Sequence, residues 1–330
     1  MKKSMFLLGI AAAALASCTN EEVVEVAQNR AIGFSSYVNN TTRAVTPTDE
    51  LNDGDYYVIG YYGSTAYSND NNVFNNEANT MEYYWQAGNH YQFASYSDGT
   101  NRIASGVTFA PGNPGSLVIA DYTVNDSKDL LGAISSDVEC TDASSMDAVP
   151  LTFKHLLSKV RFTFSTAIGE NYTLAISDLK FNAISTATAT FNGTSATWNG
   201  NTKADYIYPN EITDLCQVDN LNADGNLYTQ AVEKFVIPQD VPASGTQIQA
   251  SFTATLTGDG ISGGTASKTF NATLTVPTTN AWQSGTIYNY TTTLTADQIT
   301  DDLEYPILFE VTEITDWSTP INVPITPVAQ

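Results

Sequence analysis

The chain has 330 residues, of which 15% are charged, and a formal net charge of −22 with 13 Lys and Arg in total. The usual charged share is about 25%, and cations this few and scattered form no patch for a phosphate backbone or an anionic headgroup layer, which excludes nucleic acid as a partner. The length suits one large or two medium domains. The 18 Tyr and 14 Phe, set among many Thr, Ser and Asn, suggest a β-rich extracytoplasmic protein.

The N-terminus reads as a lipoprotein signal. Lys2 and Lys3 precede an apolar run from Met5 to Leu15, and Leu15-Ala16-Ser17-Cys18 follows. The run is shorter than the roughly 20 residues a membrane-spanning helix needs. Only a thiol can become the thioether that carries a diacylglyceryl group, so cleavage before Cys18 would leave a lipidated N-terminus held in the outer membrane. A second acyl chain would make that attachment stable. Glu21 to Asn29 is then an acidic tether, similar to a surface-export signal of lipoproteins.

Ala31 to Val38 follows as a short half-buried strand with Ile32 and Phe34 on one face. After the polar linker from Asn39 to Ala44, almost everything reads as strands between turn clusters. They cover 56–62, 90–96, 117–122, 151–164, 173–184, 186–191, 234–237, 247–256, 267–276, 287–294 and 307–314. Asn192-Gly193 is the strongest hairpin signal and predicts a type I′ turn, with Asn199-Gly200 and Gly258-Asp259-Gly260 as further turns. Many short strands punctuated this way argue for antiparallel sandwiches. A domain boundary is expected near Ser165 to Glu170, where an apolar strand gives way to Gly and acidic residues.

Motifs for catalysis are weak. Gly260-Ile261-Ser262-Gly263-Gly264 matches the nucleophile-elbow pattern, but both flanks alternate like strands and the two histidines, His90 and His155, precede Ser262. A hairpin turn is the better reading. His155 is expected to pack or hydrogen-bond inside a sandwich. Asn220 to Gly225 resembles the opening of a calcium loop, yet its twelfth position is Ala231 instead of a bidentate Glu. Neighbouring acids such as Asp53 with Asp55 and Asp301 with Asp302 lack the opposed placement a glycosidase needs. No catalytic residue, metal or cofactor is therefore expected. Cys140 and Cys216 are read as two separate thiols.

Four patterns together resemble one family. They are the lipobox at Cys18; Leu151 to Val160 (LTFKHLLSKV); Ile237-Pro238-Gln239; and Trp282, Gly285, Tyr288 and Tyr290, followed by a last strand ending at Trp317. The chain resembles the Bacteroidales fimbrillins, the type V pilin subunits and related fimbrial lipoproteins. The resemblance implies an all-β protein of two tandem transthyretin-like β-sandwich domains after a lipoprotein signal peptide. The layout is then 1–17 signal peptide, 18–43 tether and propeptide with a first strand at 31–38, 44–166 N-terminal domain, 167–317 C-terminal domain and 318–330 donor strand.

The resemblance also implies partners: an Arg-specific extracellular protease and other pilin subunits. Cleavage between Arg43 and Ala44 would release the leader with the strand bearing Ile32 and Phe34, leaving an apolar groove for a neighbour's strand. Arg30 is the competing site, but a cut there would leave the groove filled. The tail carries Ile321, Val323 and Ile325 at period two, and burying them gives roughly 5 to 9 kcal/mol gross. Pro320, Pro324 and Pro327 cannot donate ladder hydrogen bonds, and Pro324 lies within the proposed donor strand. An anchor subunit that keeps its lipid is a second version. The alternative from another class is a surface carbohydrate-binding lipoprotein, with Trp85 beside Tyr83 and Tyr84, or Trp198, stacking on sugar rings.

Overall fold

The structure is a computed structural model and describes residues 30–38, 51, 54–99, 101–125, 128–169, 171–209, 212–217, 228–242, 244–276, 279–301 and 307–314. Along them run β1 (Phe34–Val38), β2 (Tyr57–Gly63), β3 (Asn71–Ala78), β4 (Asn89–Asp98), β5 (Val107–Ala110), β6 (Ser116–Thr123), β7 (Leu130–Ile134), β8 (Val138–Cys140) and β9 (Val149–His155). They continue with β10 (Ser158–Thr166), β11 (Tyr172–Phe191), β12 (Ala196–Ile207), β13 (Tyr228–Val236), β14 (Ile248–Gly258), β15 (Thr265–Leu274), β16 (Ile287–Leu294), the helical turn α1 (Ala296–Thr300) and β17 (Glu310–Ile314). The chain is all-β, as its composition and punctuation suggest.

Three sheets result. A seven-stranded sheet has the order β1-β9-β7-β4-β2-β3, with β8 also on β4; a four-stranded sheet has the order β13-β10-β16-β17; a six-stranded sheet has the order β15-β14-β11-β6-β5, with β12 also on β11. Alternation sets the faces: in β10, Val160, Phe162 and Phe164 are fully buried while the residues between them are partly exposed. These side chains meet Leu174, Ile176 and Phe252 of the six-stranded sheet in one core. The seven-stranded sheet is apolar on both faces. Phe74, Trp85, Phe93 and Phe153 form a core on one side, and Ile59, Tyr96 and Leu130 meet Phe109, Leu117 and Phe191 on the other.

Several local expectations are corrected. The apolar run 151–164 is two strands in two sheets. Leu156 donates its N–H to Leu130 O at 2.8 Å, whereas Leu157 O accepts from Gly285 N at 2.8 Å, so the backbone changes partner between adjacent residues. β10 pairs with β13 and β16. The runs 173–184 and 186–191 are one 20-residue strand. Its first part pairs with β14 and its last part with β6, so β11 serves two cores. Asn192-Gly193 is a hairpin loop but not type I′. Gly193 has φ +87° and Asn192 does not have a positive φ; instead Asn192 Oδ1 accepts from the N–H groups of Thr194 and Ser195 at 2.9 Å. Asn199-Gly200 is no turn: it lies within β12, where the register against β11 shifts and a Cβ on Gly200 would come within 2.6 Å of Ala187.

Gly258 to Gly264 is the hairpin turn between β14 and β15, with Gly258 N donating to Gly264 O at 3.1 Å, so Ser262 sits on a turn between strands. The resemblance to a calcium loop at 220–225, and Asp53 and Asp302, lie outside the described residues. Among the described residues no group of His, Cys, Asp and Glu has metal-binding geometry.

Candidate functional site

The segment 30–38 is the part of the chain on which a removable first strand can be tested. Its first half is held against residues 83–85: Ile32 N donates to Tyr83 O at 2.7 Å, Trp85 N to Arg30 O at 3.1 Å, and Ala31 bridges Tyr84 antiparallel. Arg30 N also donates to Ala143 O at 2.8 Å. Its second half, β1, lies parallel to β9 in the register Phe34 with Val149, Ser36 with Leu151 and Val38 with Phe153. Alternation selects what points inward, and Ile32 and Ser36 are buried while Phe34 and Val38 are half-buried.

The seat beneath is aromatic. Phe34 meets Phe74 at 5.4 Å and Phe93 at 5.2 Å, both edge to face. Phe93 and Phe74 are fully buried, and Trp85 and Tyr91 continue the layer. Ser36, an inward hydroxyl in this apolar row, donates to Leu51 O at 3.0 Å and so avoids the cost of an unpaired buried polar group. Seating Ile32 and Phe34 contributes about 3 to 5 kcal/mol gross. Removing the strand would uncover Phe74, Phe93, Leu151 and Phe153 and free the outer edge of β9. An uncovered edge beside an apolar trough is the arrangement that accepts an added strand.

Of the residues assigned by sequence, Ile32 and Phe34 therefore share one trough. Cys18, Arg43, Ala44, Ile321, Val323 and Ile325 lie outside the described residues. Trp85 cannot stack on a sugar: it is fully buried, its ring lies 4.8 Å from Tyr91, and its indole nitrogen has no hydrogen-bond partner among the described residues. Beside it, Tyr84 is exposed, and Tyr83 packs edge to face on Phe74 at 4.6 Å while its hydroxyl donates to Glu77 at 2.6 Å. That bond, with burial and the charge of Glu77, raises the phenol pKa. Trp198 is half-buried, donates its indole N–H to Leu156 O at 3.1 Å and lines a cavity of about 780 Å³ with Ile237, Gln239, Trp282 and Ser284. The sequence had marked neither this cavity nor the inward Ser36.

The histidines are pairing residues of the framework. His90 Nδ1 lies 2.7 Å from Asp137 Oδ2, and His155 Nδ1 is hydrogen-bonded to Asp129. Burial pushes the Asp129 carboxyl upward, opposed by the bond to His155. Cys140 and Cys216 are free thiols in different cores, and burial raises both pKa values.

The family model described as Fimbrillin-like matches residues 19–317. No curated protein gives a match. A solved fimbrial protein from Bacteroides vulgatus is 14% identical, with 88% of this chain and 100% of that chain covered and a TM-score of 0.53. The fimbrial anchor protein Mfa2 from Porphyromonas gingivalis is 12% identical, with 84% and 96% covered and a TM-score of 0.34. The first shows likeness of fold alone, and the second is too distant in shape to carry an argument.

Proposed function

This chain belongs to the fimbrillin-like family, and from that premise we propose that it is a structural subunit of a cell-surface fimbria, with other pilin subunits as its partners. It is exported as a lipoprotein through Cys18, cut by an Arg-specific protease between Arg43 and Ala44, and polymerised when a neighbour's strand bearing Ile321, Val323 and Ile325 takes the place of residues 31–38. One observation carries the reading. Strand β1 is an edge strand over a continuous aromatic floor, so it can leave without unpairing the remaining strands of its sheet from one another.

The backbone bonding of Arg30 speaks against the competing cut. Both backbone groups of Arg30 are hydrogen-bonded, and a protease needs a stretch of extended chain free of such partners. The role is structural, and no catalytic residue is assigned.

The test is limited digestion of the purified chain with an Arg-specific protease, followed by intact mass and size-exclusion chromatography. Cleavage after Arg43, loss of residues up to 43 and growth into SDS-resistant ladders that vanish on deletion of 319–330 is the expected result. A cut product that stays monomeric overturns it. Resistance at Arg43 together with retained lipid on Cys18 in assembled fibres would identify an anchor subunit instead.

One observation favours a second reading, a carbohydrate-binding surface lipoprotein: the cavity of about 780 Å³ beside Trp198, whose rim carries exposed Asn199 and Ser195. A glycan array with the wild-type chain and Trp198→Ala decides it. Signal lost in the variant would establish that reading, and an array without signal would dismiss it.

A further inference from the structure

The edges of the three sheets are not equally guarded. Strand β3 is broken by two register shifts and holds Asn76 at φ +55°. β12 also has two shifts, and β5 has four residues. β17 has five residues and carries Glu310, and on β13 Glu233 is tied to Lys159 and Arg161. These are the devices that discourage strand addition. β15 is neither short nor bulged, and its one charged residue is Lys268. It is ten residues long and contains no proline, and its register against β14 runs unbroken from Leu274 opposite Ile248 to Thr265 opposite Thr257.

Its side chains are neutral apart from Lys268, in a protein of net charge −22. Copies of such a chain repel one another across most of their surface, and this edge is a place where they need not. Its outward residues are hydroxyl-bearing or amide-bearing and already form cross-strand rungs with β14: Thr253 with Thr269 at 3.1 Å, Thr255 with Ser267 at 2.8 Å and Thr257 with Thr265 at 3.3 Å. In each rung one hydroxyl donates and the other keeps a free O–H. On the core side α1 packs against β14 and β15, and Lys268 Nζ donates to Asp301 O at 3.1 Å.

The order of residues in β15 is self-complementary. In antiparallel pairing about a two-fold axis at Thr269, Thr269 opposes its own copy, Ser267 opposes Asn271, and Thr265 opposes Thr273. On the other face, Ala266 opposes Ala272 and Lys268 opposes Phe270. On the outward face every polar residue meets a polar one, and the lysines, each over the Phe270 ring of its own chain, are not directly opposed. An axis at Lys268 would instead set two cations face to face.

We propose that the β15 edge is a homotypic docking edge through which two copies of this chain join their six-stranded sheets, antiparallel and centred on Thr269. The contact is isologous, so it closes on a pair. It is separate from the seat of β1, which lies in a different sheet, and in a fibre it would tie neighbouring filaments side by side.

The experiment uses the full chain. Opposed residues of an antiparallel pair have Cα atoms about 4.5 to 5.5 Å apart, within disulfide reach. On mild oxidation, Thr269→Cys should yield a disulfide dimer whose cross-linked peptide joins position 269 of both copies, while wild type and Thr253→Cys, on the interior strand, should not yield dimers at those positions. By sedimentation equilibrium the wild type should associate as its concentration rises, and Thr269→Lys, which opposes two cations, should weaken that association roughly fivefold. Equal cross-linking of the two cysteine variants, a wild type that stays monomeric, or unchanged association of Thr269→Lys would overturn the proposal. Capture of an unrelated extended peptide by this edge without self-association would also overturn it.

Discussion

The ring of Phe34 meets the ring of Phe93 edge to face, with centroids 5.2 Å apart and planes at 84°. Phe34 lies on the edge strand and Phe93 at the centre of the seven-stranded sheet, in β4, so this contact ties the edge of the sheet to its middle. The edge-to-face arrangement places the positive rim of one ring over the negative face of the other and adds to the area term.

Phe34→Ala should therefore destabilise the uncleaved chain by about 2 kcal/mol, below the cost of a fully buried Phe because the ring is half-buried. Thermal unfolding of the uncleaved protein should show a lower midpoint. A chain already lacking residues up to 43 should be unaffected by its history at this position, since the ring has left with the strand. An unchanged midpoint in the uncleaved variant would mean that Phe34 does not hold the strand.

Gly60→Ala probes the same floor from below. A Cβ there would stand 2.6 Å from Phe93 Cδ1 and 2.9 Å from Val73 Cγ1, so the ring that supports Phe34 must shift. Overpacking of this kind costs about 1 to 3 kcal/mol. Loss of stability accompanied by faster proteolysis of the N-terminal segment is the expected pair of results, and a neutral substitution would show that the floor yields freely.

Arg30→Ala should leave the pattern of Arg-specific cleavage unchanged, whereas Arg43→Ala should abolish removal of the first strand. The reason is the closed hydrogen bonding at Arg30, whose N–H and C=O are held by Ala143 and Trp85. Mass spectrometry of the digests decides, and accumulation of a product beginning at Ala31 would contradict the expectation.

Acid should loosen β13. Burial pushes the Glu233 carboxyl upward, but hydrogen bonds from Arg161 at 2.5 and 2.9 Å and the nearby Lys159 outweigh it, and the net shift is downward. A carboxylate with a depressed folded-state pKa contributes stability above its unfolded value of about 4.3, and loses it as pH falls through the lower folded value. Glu233→Gln should thus lower the unfolding midpoint at pH 7 and narrow the gap to wild type below about pH 4. Because the side chain is partly exposed, the effect is modest, and identical acid limbs in the two proteins would refute the assignment.

Much of this protein was legible in the chain alone. Alternation at period two located β2, β4, β6, β14, β15 and β16, because a half-buried strand writes its two faces directly into neighbouring residues. The glycine-rich segment after Thr257 announced a turn for the same local reason. β3 was hidden: Asn71, Asn72, Asn75 and Asn76 are poor strand formers, and its bulges break the alternation of Val73 and Phe74.

What only the tertiary structure decided is partnership. Nothing local in Leu151 to Phe164 says that the first half joins β7 and the second joins β16, because both halves are apolar and extended; the change at Leu156 and Leu157 is made by Leu130 and Gly285, which are distant in sequence. Trp85 shows the same limit. A tryptophan after two tyrosines reads as core packing or, less readily, as a sugar platform, and it became core because β4 folds Tyr91 and Phe93 against it. The parallel seat of β1 on β9 is likewise a pairing across more than a hundred residues, set by which apolar trough is left open once the other strands have paired. Local physics determines that a segment is a strand and which face is apolar, and only the packed sheets determine which edge that face will meet.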